Sequence, residues 1–370
     1  MKILITHVPA GSGHEKAAEA IFVALRKIRP EAEVTLLNGL EGMSSGYQWC
    51  FTQGYLTLIH RFPLLWGSAY HLADLRGFAW AAYKLHRLSN ASHGKILESI
   101  VTLHQPDVFI ATHFFPAEVA SYLRLKGRLS ARLITVITDY LPHAVWICPG
   151  TDLYVVGSNV TKNELVDRGV PEEKTQVLGI PIDPKFSRRS DRRALAQRLG
   201  VDPERFTVLI CSGGFGTGPM EQMFRILSAV SEPIQALIVT GKNTALFHRL
   251  EGLRSSIPHA LKIYGFVNNM DELMDVSDLM ITKPGGLSCA EAMTKGLPMI
   301  LSSPIPGQES RNAQIVQRIG AAILAENVDR IPSLIMELRS NPGRLQEMAQ
   351  KGREASFPDS AFNVARIAFS

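Results

Sequence analysis

The most informative part of the chain is Asp278-Leu-Met-Ile-Thr-Lys-Pro-Gly-Gly-Leu-Ser-Cys-Ala-Glu-Ala292. Its apolar run 279–282 is typical of a buried strand, its Pro-Gly-Gly predicts a turn, and residues 288–295 predict a helix that ends at Gly296. A strand, a glycine turn and a helix in this order form the building unit of parallel α/β sheets. We therefore expect an α/β fold.

The glycine turn also predicts a site for a diphosphate. Gly285 and Gly286 let the backbone approach a ligand closely, and the amide groups at the start of the next helix, around Ser288, favour phosphate oxygens. Glu291 follows in the first turns of that helix, where its carboxylate can accept both hydroxyls of a ribose. The alternative is a plain turn, with Glu291 interacting only with the helix dipole. These residues alone do not decide between the two.

The same residues resemble a known signature. Lys283-Pro-Gly-Gly-Leu-Ser-Cys-Ala-Glu291, followed by Pro306-Gly-Gln-Glu309 and Asn312, is similar to the donor site of glycosyltransferase family 28. Within that family the pattern most resembles the diacylglycerol glycosyltransferases, which include monogalactosyldiacylglycerol synthases and processive glucosyltransferases. The resemblance implies a GT-B fold, with two Rossmann-like domains facing a central cleft. It also implies a UDP-sugar donor, with Gln308 and Glu309 affecting sugar choice and turnover.

Composition agrees with two soluble domains. The chain has 370 residues, of which 46% are hydrophobic and 20% charged, so it can bury two cores and is not disordered. Its four cysteines form no Cys-x-x-Cys pair, which predicts neither a disulfide framework nor a zinc site. The chain starts as a strand and has no run of about 18 apolar residues. We expect a cytoplasmic protein that is neither exported nor membrane-spanning.

The order of strand-like and helix-like segments predicts the domain limits. We expect an N-terminal domain over residues 1–183, a linker over 184–204 and a second domain over 205–358. Residues 359–370 predict a helix that crosses back to the first domain. The arginine-rich linker is interpreted as a solvated helix face, so no nucleic-acid partner is expected.

The first domain opens with a strand at 2–6, a turn through Gly11-Ser-Gly-His14 and a helix from Glu15. The turn lacks the Gly-x-Gly-x-x-Gly pattern of dehydrogenases but resembles the Gly-Gly-Gly-His loop of family 28, with serine as the middle residue. The resemblance implies that Gly13 lies near the acceptor. It makes His14 the expected general base, since a neutral imidazole accepts a proton at working pH. The alternative is that His14 caps the helix or touches the donor diphosphate.

A second motif follows two further strand-like runs. Thr138-Asp-Tyr-Leu-Pro-His-Ala-Val-Trp146 resembles the Thr-Asp-x-x-x-His-x-x-Trp motif of the same subfamily. Asp139 is the second catalytic candidate, either orienting His14 or sharing its proton, and His143 is expected near the acceptor. The alternatives are a helix cap at Asp139 and a hydrogen-bonded loop histidine at 143.

Residues 43–103 predict helices with many aromatic side chains and a local excess of basic ones. Segments of this kind lie in membrane interfaces, although buried core helices are the equal alternative. In diacylglycerol glycosyltransferases the corresponding insertion is associated with the membrane and the lipid acceptor. The residues expected to contact the membrane are Trp49, Trp66, Trp80, Arg61 and Arg76.

The second domain carries more glycine-rich loops at predicted strand ends. Gly213-Gly-Phe-Gly-Thr-Gly218 suits phosphate oxygens, and the family resemblance places the loop 265–270 against the nucleobase. The donor residues expected here are Gly213, Gly214, Gly216, Thr217, Lys242, Asn243, Phe266 and Val267.

These expectations converge on one function. The resemblance implies an inverting transferase that moves galactose or glucose from UDP-galactose or UDP-glucose to diacylglycerol in an anionic membrane. It implies no metal bound through an Asp-x-Asp motif, no other cofactor and no obligate protein partner. The alternatives are N-acetylglucosaminyl transfer to a lipid-linked peptidoglycan precursor, and a catalytically silent nucleotide-sugar sensor. The choice of hexose and the number of sugars added stay open.

Overall fold

The computed structural model describes residues 1–9, 11–74, 95–216 and 218–370. Three residues with predicted roles, Arg76, Trp80 and Thr217, lie outside this described part of the chain.

The chain divides into two compact units. The first comprises residues 1–184, 305–311 and 359–370, and the second comprises residues 185–304 and 312–358. The linker was predicted over residues 184–204, of which 185–204 are grouped with the second unit and contain a short helix.

A parallel six-stranded sheet in the order β2-β1-β3-β4-β5-β6 forms the centre of the first unit. Its strands are β1 Lys2–His7, β2 Glu33–Asn38, β3 Val108–Ala111, β4 Arg132–Val136, β5 Leu153–Val156 and β6 Thr175–Val177. The strand order reverses between β1 and β3, which lie side by side although β2 separates them in sequence. In open α/β sheets, ligands bind beyond the carboxyl ends of the strands at such a point.

Helices cover this sheet and complete its core. They are α1 Ser12–Ile28, α2 Ser45–Trp49, α3 Tyr55–Arg61, α4 Pro63–Asp74, α5 over residues 95–104, α6 Phe114–Leu125, α7 Asn159–Asp167 and the C-terminal helix Ser360–Ala368. Ala18, Ile21 and Leu25 recur at helical spacing on α1 and are fully buried against the β1 side chains and the C-terminal helix. None of the described helices is long and apolar enough to cross a bilayer.

The second unit repeats the plan, with the strand order β12-β11-β10-β7-β8-β9. Its strands are β7 Thr207–Cys211, β8 Gln235–Val239, β9 Ala260–Tyr264, β10 Leu279–Thr282, β11 Met299–Leu301 and β12 Ala322–Leu324. Its helices are α8 Arg192–Leu199, α9 Met220–Arg225, α10 Thr244–Gly252, α11 Met270–Asp275, α12 Gly286–Lys295, α14 Ile331–Arg339 and α15 Pro342–Glu354. The helix α13 Gln308–Ile319 belongs to the second unit from Asn312 on, and α16 is the C-terminal helix already described. The order reverses between β7 and β10, so this sheet also has a ligand crevice by the same rule.

Two helix boundaries differ from those expected. α1 begins at Ser12, so His14 lies inside its first turn rather than in the preceding loop. α12 begins at Gly286 rather than Ser288, which puts Glu291 in its second turn. Gly11 precedes α1 with a φ of 95°, which favours glycine, whereas Gly285 before α12 has an extended backbone that any residue adopts.

Candidate active site

The carboxyl ends of β1, β3 and β4 bring polar side chains together in the first unit. Thr112 follows β3, Thr138 lies two residues beyond β4, and His14 comes from the first turn of α1. Gly11 precedes that helix with a φ of 95°, a conformation that favours glycine. The result is a polar group centred on the His14 ring.

Hydrogen bonds fix the tautomer of His14. Its Nδ1 lies 2.7 Å from the carbonyl oxygen of Thr112 and 3.0 Å from Oγ1 of Thr138. Because a carbonyl oxygen only accepts, Nδ1 carries the hydrogen and Nε2 keeps a lone pair. The Thr112 hydroxyl also donates to the His14 carbonyl at 2.8 Å, which anchors the helix turn itself. His14 is therefore held with Nε2 ready to accept a proton.

The surroundings keep the His14 ring neutral. Its centroid lies 4.7 Å from the His113 ring, in an edge-on arrangement, and 6.1 Å from the Trp146 ring. Burial lowers the pKa of His14 to about 4, even though the bond to Thr112 opposes the shift. The imidazole is thus a neutral acceptor throughout the physiological range.

Two more histidines lie beside it. His113 is buried, and its Nδ1 accepts the backbone amide of Phe115 at 3.1 Å, which caps the start of α6. Burial holds its pKa well below the ordinary value, and His14 lowers it further. His7 at the end of β1 is also buried, and burial lowers its pKa as well. The sequence predicted no catalytic or binding role for either residue.

Asp139 and His143 lie in the loop that follows β4. Asp139 is partly buried next to Thr138, and its role as the second catalytic residue stays a prediction. His143 uses both ring nitrogens locally: Nε2 donates to the Tyr70 carbonyl at 3.0 Å, and Nδ1 accepts the Val145 amide at 3.2 Å. His143 therefore joins its loop to α4.

In the second unit, the glycine-rich loop after β7 packs closely against the loop after β8. Gly216 has a φ of 57°, and a Cβ atom there would lie 2.0 Å from the Thr240 carbonyl oxygen. Gly241 has a φ of 60°, and a Cβ atom there would lie 2.4 Å from the Gly214 carbonyl oxygen. Only glycine fits either position. The Lys242 amide completes the contact by donating to the Gly214 carbonyl at 2.9 Å.

Side chains that follow β8 and β9 lie next to these two glycine-rich loops. The Lys242 ammonium lies 5.5 Å from the Phe215 ring centroid and 5.8 Å from that of Phe266, distances typical of cation–π contacts. Phe266 is 48% exposed, which leaves an aromatic face accessible at the predicted nucleobase loop, and Val267 beside it is partly buried. Asn243 caps α10 and donates to the Gly216 carbonyl at 3.2 Å.

The start of α12 lies at the strand reversal of the second sheet. Gly285 is its N-cap residue, and within the described residues no side chain caps this end of the helix. The first amide groups, from Gly286 to Ser288, and the positive end of the helix dipole suit an anion there. Burial raises the pKa of the Cys211 thiol to about 11, and the Glu291 carboxylate adds to that shift, which places Glu291 near the end of β7. Gly213, Gly285 and Glu291 thus share one sheet edge.

Gln308 and Glu309 begin α13, in a segment that belongs to the first unit. Glu309 is buried, and its Oε2 accepts the Ile305 amide at 2.8 Å, which closes the loop 305–309. Gln308 is partly buried. Just before this segment, Ser303 has a φ of 51°, an uncommon value for a residue other than glycine.

The predicted membrane residues that the structure describes are not all exposed. Trp49 is 55% exposed and Arg61 is also exposed, whereas Trp66 is partly buried beside Tyr70. Tyr47 and Phe51, from the same segment, pack against Phe115 of the core. The segment is therefore partly a core element and partly an exposed surface.

Two α/β units, each with a parallel six-stranded sheet whose strand order reverses, define the GT-B class. Solved structures with the same fold include Acinetobacter baumannii MurG, with a TM-score of 0.65 at 15% identity over 100% of this chain and 99% of that one. Anabaena HepE in complex with UDP-glucose gives a TM-score of 0.58 at 16% identity over 100% and 99% of the two chains. At such identities the likeness concerns the fold alone.

Sequence comparison identifies the family. The family model for monogalactosyldiacylglycerol (MGDG) synthase matches residues 14–182, and that for the glycosyltransferase family 28 C-terminal domain matches residues 219–364. The processive diacylglycerol beta-glucosyltransferase of Bacillus pumilus is 34% identical over 271 residues, which cover 73% of this chain and 70% of that protein. The chain belongs to glycosyltransferase family 28, in the group of diacylglycerol glycosyltransferases. This confirms the family and the fold predicted from the sequence, and the two alternative functions are not favoured.

Proposed function

We propose that this glycosyltransferase moves a hexose from a UDP-sugar to the free hydroxyl of diacylglycerol, with inversion at the anomeric carbon. The names of the matched relatives, which include a diacylglycerol glucosyltransferase and MGDG synthases, support the acceptor. The HepE complex with UDP-glucose supports a UDP-sugar donor for this fold.

The observation that carries the mechanism is the tautomer of His14. Nε2 accepts the proton of the acceptor hydroxyl while that oxygen attacks the anomeric carbon from the side opposite the UDP group. The new glycosidic bond forms as the bond between the anomeric carbon and the diphosphate oxygen breaks, and UDP leaves with that electron pair. The hydrogen bond from Nδ1 to the Thr112 carbonyl, 2.7 Å long, stabilises the imidazolium that forms.

The second unit supplies the groups proposed to hold the donor. The amides at the start of α12 and the glycine loop after β7 face the diphosphate, and the Lys242 ammonium adds a positive charge. Glu291 accepts the ribose hydroxyls. We propose that these groups stabilise the charge of the leaving diphosphate without a metal ion, so that transfer continues in excess EDTA.

The exposed side of α2–α4 is the proposed membrane-docking surface, defined as Trp49, Arg61, Phe62, Leu65 and Leu72. Each of its four apolar side chains is at least half exposed, which is unusual for large hydrophobic residues clustered within 24 positions. An amphipathic surface with an arginine at its edge binds anionic lipid through apolar burial and charge. This surface would bring the enzyme to its lipid acceptor.

The activity is tested by incubating the purified protein with diacylglycerol vesicles and either UDP-glucose or UDP-galactose. Mass analysis of the lipid products identifies the hexose and counts the sugars added. We expect a hexosyl-diacylglycerol with at least one donor, and the same product in excess EDTA. Absence of a lipid product with both donors would contradict the proposed reaction.

Docking is tested separately by flotation with vesicles that contain or lack anionic lipid. We expect binding that weakens with salt and that Leu65→Asp reduces. The matched control is Leu125→Asp, which changes a similarly exposed leucine on α6. Equal flotation of the two variants, or binding indifferent to anionic lipid and salt, would show that this surface does not dock.

A further inference from the structure

Helix α4 has two distinct faces. Leu65 and Leu72, seven residues apart, share the exposed face. Gly67, Tyr70 and Asp74, spaced by three and four residues, lie on the opposite side of the helix. This second face contacts the segment 306–311, which includes the first turn of α13 and carries Gln308 and Glu309.

The contacts at Gly67 and Tyr70 are tight. A Cβ atom at Gly67 would lie 2.8 Å from Cβ of Pro306, so glycine is needed for the segment to approach α4. Tyr70 packs directly under Gly307, whose φ is 101° and where a Cβ atom would lie 2.8 Å from the Tyr70 ring. The same ring lies 5.2 Å from the Arg311 guanidinium. α4 thus determines where residues 306 and 307 lie.

Asp74 holds the other end of the segment. Its carboxylate, 7% exposed, accepts hydrogen bonds from both terminal nitrogens of Arg168 at 2.6 and 3.0 Å, and from Arg311. It also accepts the Ala144 amide at 2.9 Å. Burial alone raises the pKa of a carboxyl group, but the bonds from Arg168 and Arg311 hold the pKa of Asp74 well below its usual range. Asp74 therefore stays ionised, and the pair with Arg311 persists.

Among the residues that the structure describes, the Arg311 side chain contacts Asp74 and the Tyr70 ring. Its Nη1 is buried and has no hydrogen-bond partner among the described residues. Arg311 lies three residues after Gln308, on the same side of α13 and one turn further along. The Asp74 contact therefore links the first turn of α13, which carries Gln308, to α4, while the bond from the Ile305 amide to Glu309 closes the loop before it.

We propose that Tyr70 and Asp74 are positioning residues: through Gly307 and Arg311 they orient Gln308 and Glu309 for the sugar of the donor. The inference rests on the proposed function, in which those two residues affect sugar choice and turnover. It assigns a role in catalysis to α4, whose opposite face is part of the proposed membrane-docking surface. Tyr70 and Asp74 should not affect binding of the UDP part of the donor, because the predicted contacts of UDP come from other residues.

The test compares Arg311→Gln and Tyr70→Leu with Arg168→Gln. Arg168→Gln also removes an ion pair from Asp74, but Arg168 lies just after α7 and the change leaves the segment 306–311 untouched, which makes it the matched control. For Arg311→Gln and Tyr70→Leu we expect kcat to fall by about 10-fold to 100-fold, as a misplacement near 1 Å does. We also expect the ratio of UDP-glucose to UDP-galactose turnover to change, with UDP affinity by calorimetry unaltered. Arg311→Lys, which keeps one charged donor, should recover part of kcat.

The control should lose thermal stability while keeping the donor ratio of the wild type. The proposal is overturned if Arg311→Gln and Tyr70→Leu keep the wild-type donor ratio and lose no more kcat than Arg168→Gln. If Arg311→Gln does not fold, Tyr70→Leu and Asp74→Asn decide by the same measurements. Failure of the proposed function is recognised separately, because the wild-type protein would then transfer neither hexose.

Discussion

The pH dependence of turnover provides a direct test of His14 as the base. A base acts in its deprotonated form, so a lowered pKa extends activity toward acid. Burial lowers the pKa of His14 from 6.5 to about 4. At pH 5.5 an ordinary histidine would be neutral in about a tenth of molecules, whereas His14 is neutral in nearly all of them. We therefore expect kcat/KM to stay level from pH 7.5 to about pH 5 and to fall only near pH 4.

The size of this effect follows from the environment of the ring. The change in pKa corresponds to about 3 kcal/mol in favour of the neutral imidazole. The packing of His113 and Trp146 around His14 accounts for its direction, because a buried ring loses the hydration that stabilises a positive charge. The Thr112 carbonyl opposes the shift, and without that bond the pKa would be lower still.

The assay measures kcat/KM from pH 4 to 8 for the wild type and for His14→Ala, with diacylglycerol in mixed micelles. We expect His14→Ala to lower kcat by about 10²- to 10⁴-fold, with nearly unchanged UDP affinity by calorimetry. Thr138→Val is the control, since it removes the longer contact to Nδ1 and leaves the Thr112 carbonyl in place. It should change kcat far less. An acid limb near pH 6.5, or near-normal kcat in His14→Ala at saturating donor, would refute the assignment and make Asp139 the next candidate.

Three further outcomes are expected. Glu291→Ala should weaken UDP binding by about 1.5–3 kcal/mol in calorimetry, since a charge-assisted contact to the ribose is lost, and unchanged affinity would remove that role. Gly216→Ala should abolish UDP binding or lower the melting temperature more than Gly213→Ala, because both glycines have positive φ but only the Cβ at 216 meets a carbonyl oxygen. Denaturant stability should fall as the pH drops below 6.5, because burial lowers the pKa of His7 and His113 in the folded protein and the unfolded chain then binds protons more readily. A His113→Phe variant with the same pH slope would contradict this account.

Much of the fold could be predicted from local patterns. The apolar runs ending at Thr6, Thr112, Thr282 and Ser302 mark central strands, because a strand buried on both faces must be apolar throughout. The short edge strand β12 was missed, since three residues carry too little periodicity to distinguish a strand from a loop. Resemblance, rather than periodicity, identified the family, and it did so from residues close together in sequence around the turn before α12.

The sequence by itself determined which residue types stand at the sheet edges: glycines after β7 and before α12, a histidine after β1, and polar residues after β3 and β4. Only the tertiary structure decided what those residues do to one another. The partner of His14 is a main-chain carbonyl 98 positions away. Because every residue has such a carbonyl, the sequence does not show which one the ring meets. Asp74 and Arg311 are separated by 237 positions. From the sequence alone, a single charged residue in either segment is interpreted as an exposed surface residue, so the ion pair between them is not predicted. Long-range contacts of this kind arise from strand order and helix packing, which local patterns do not contain.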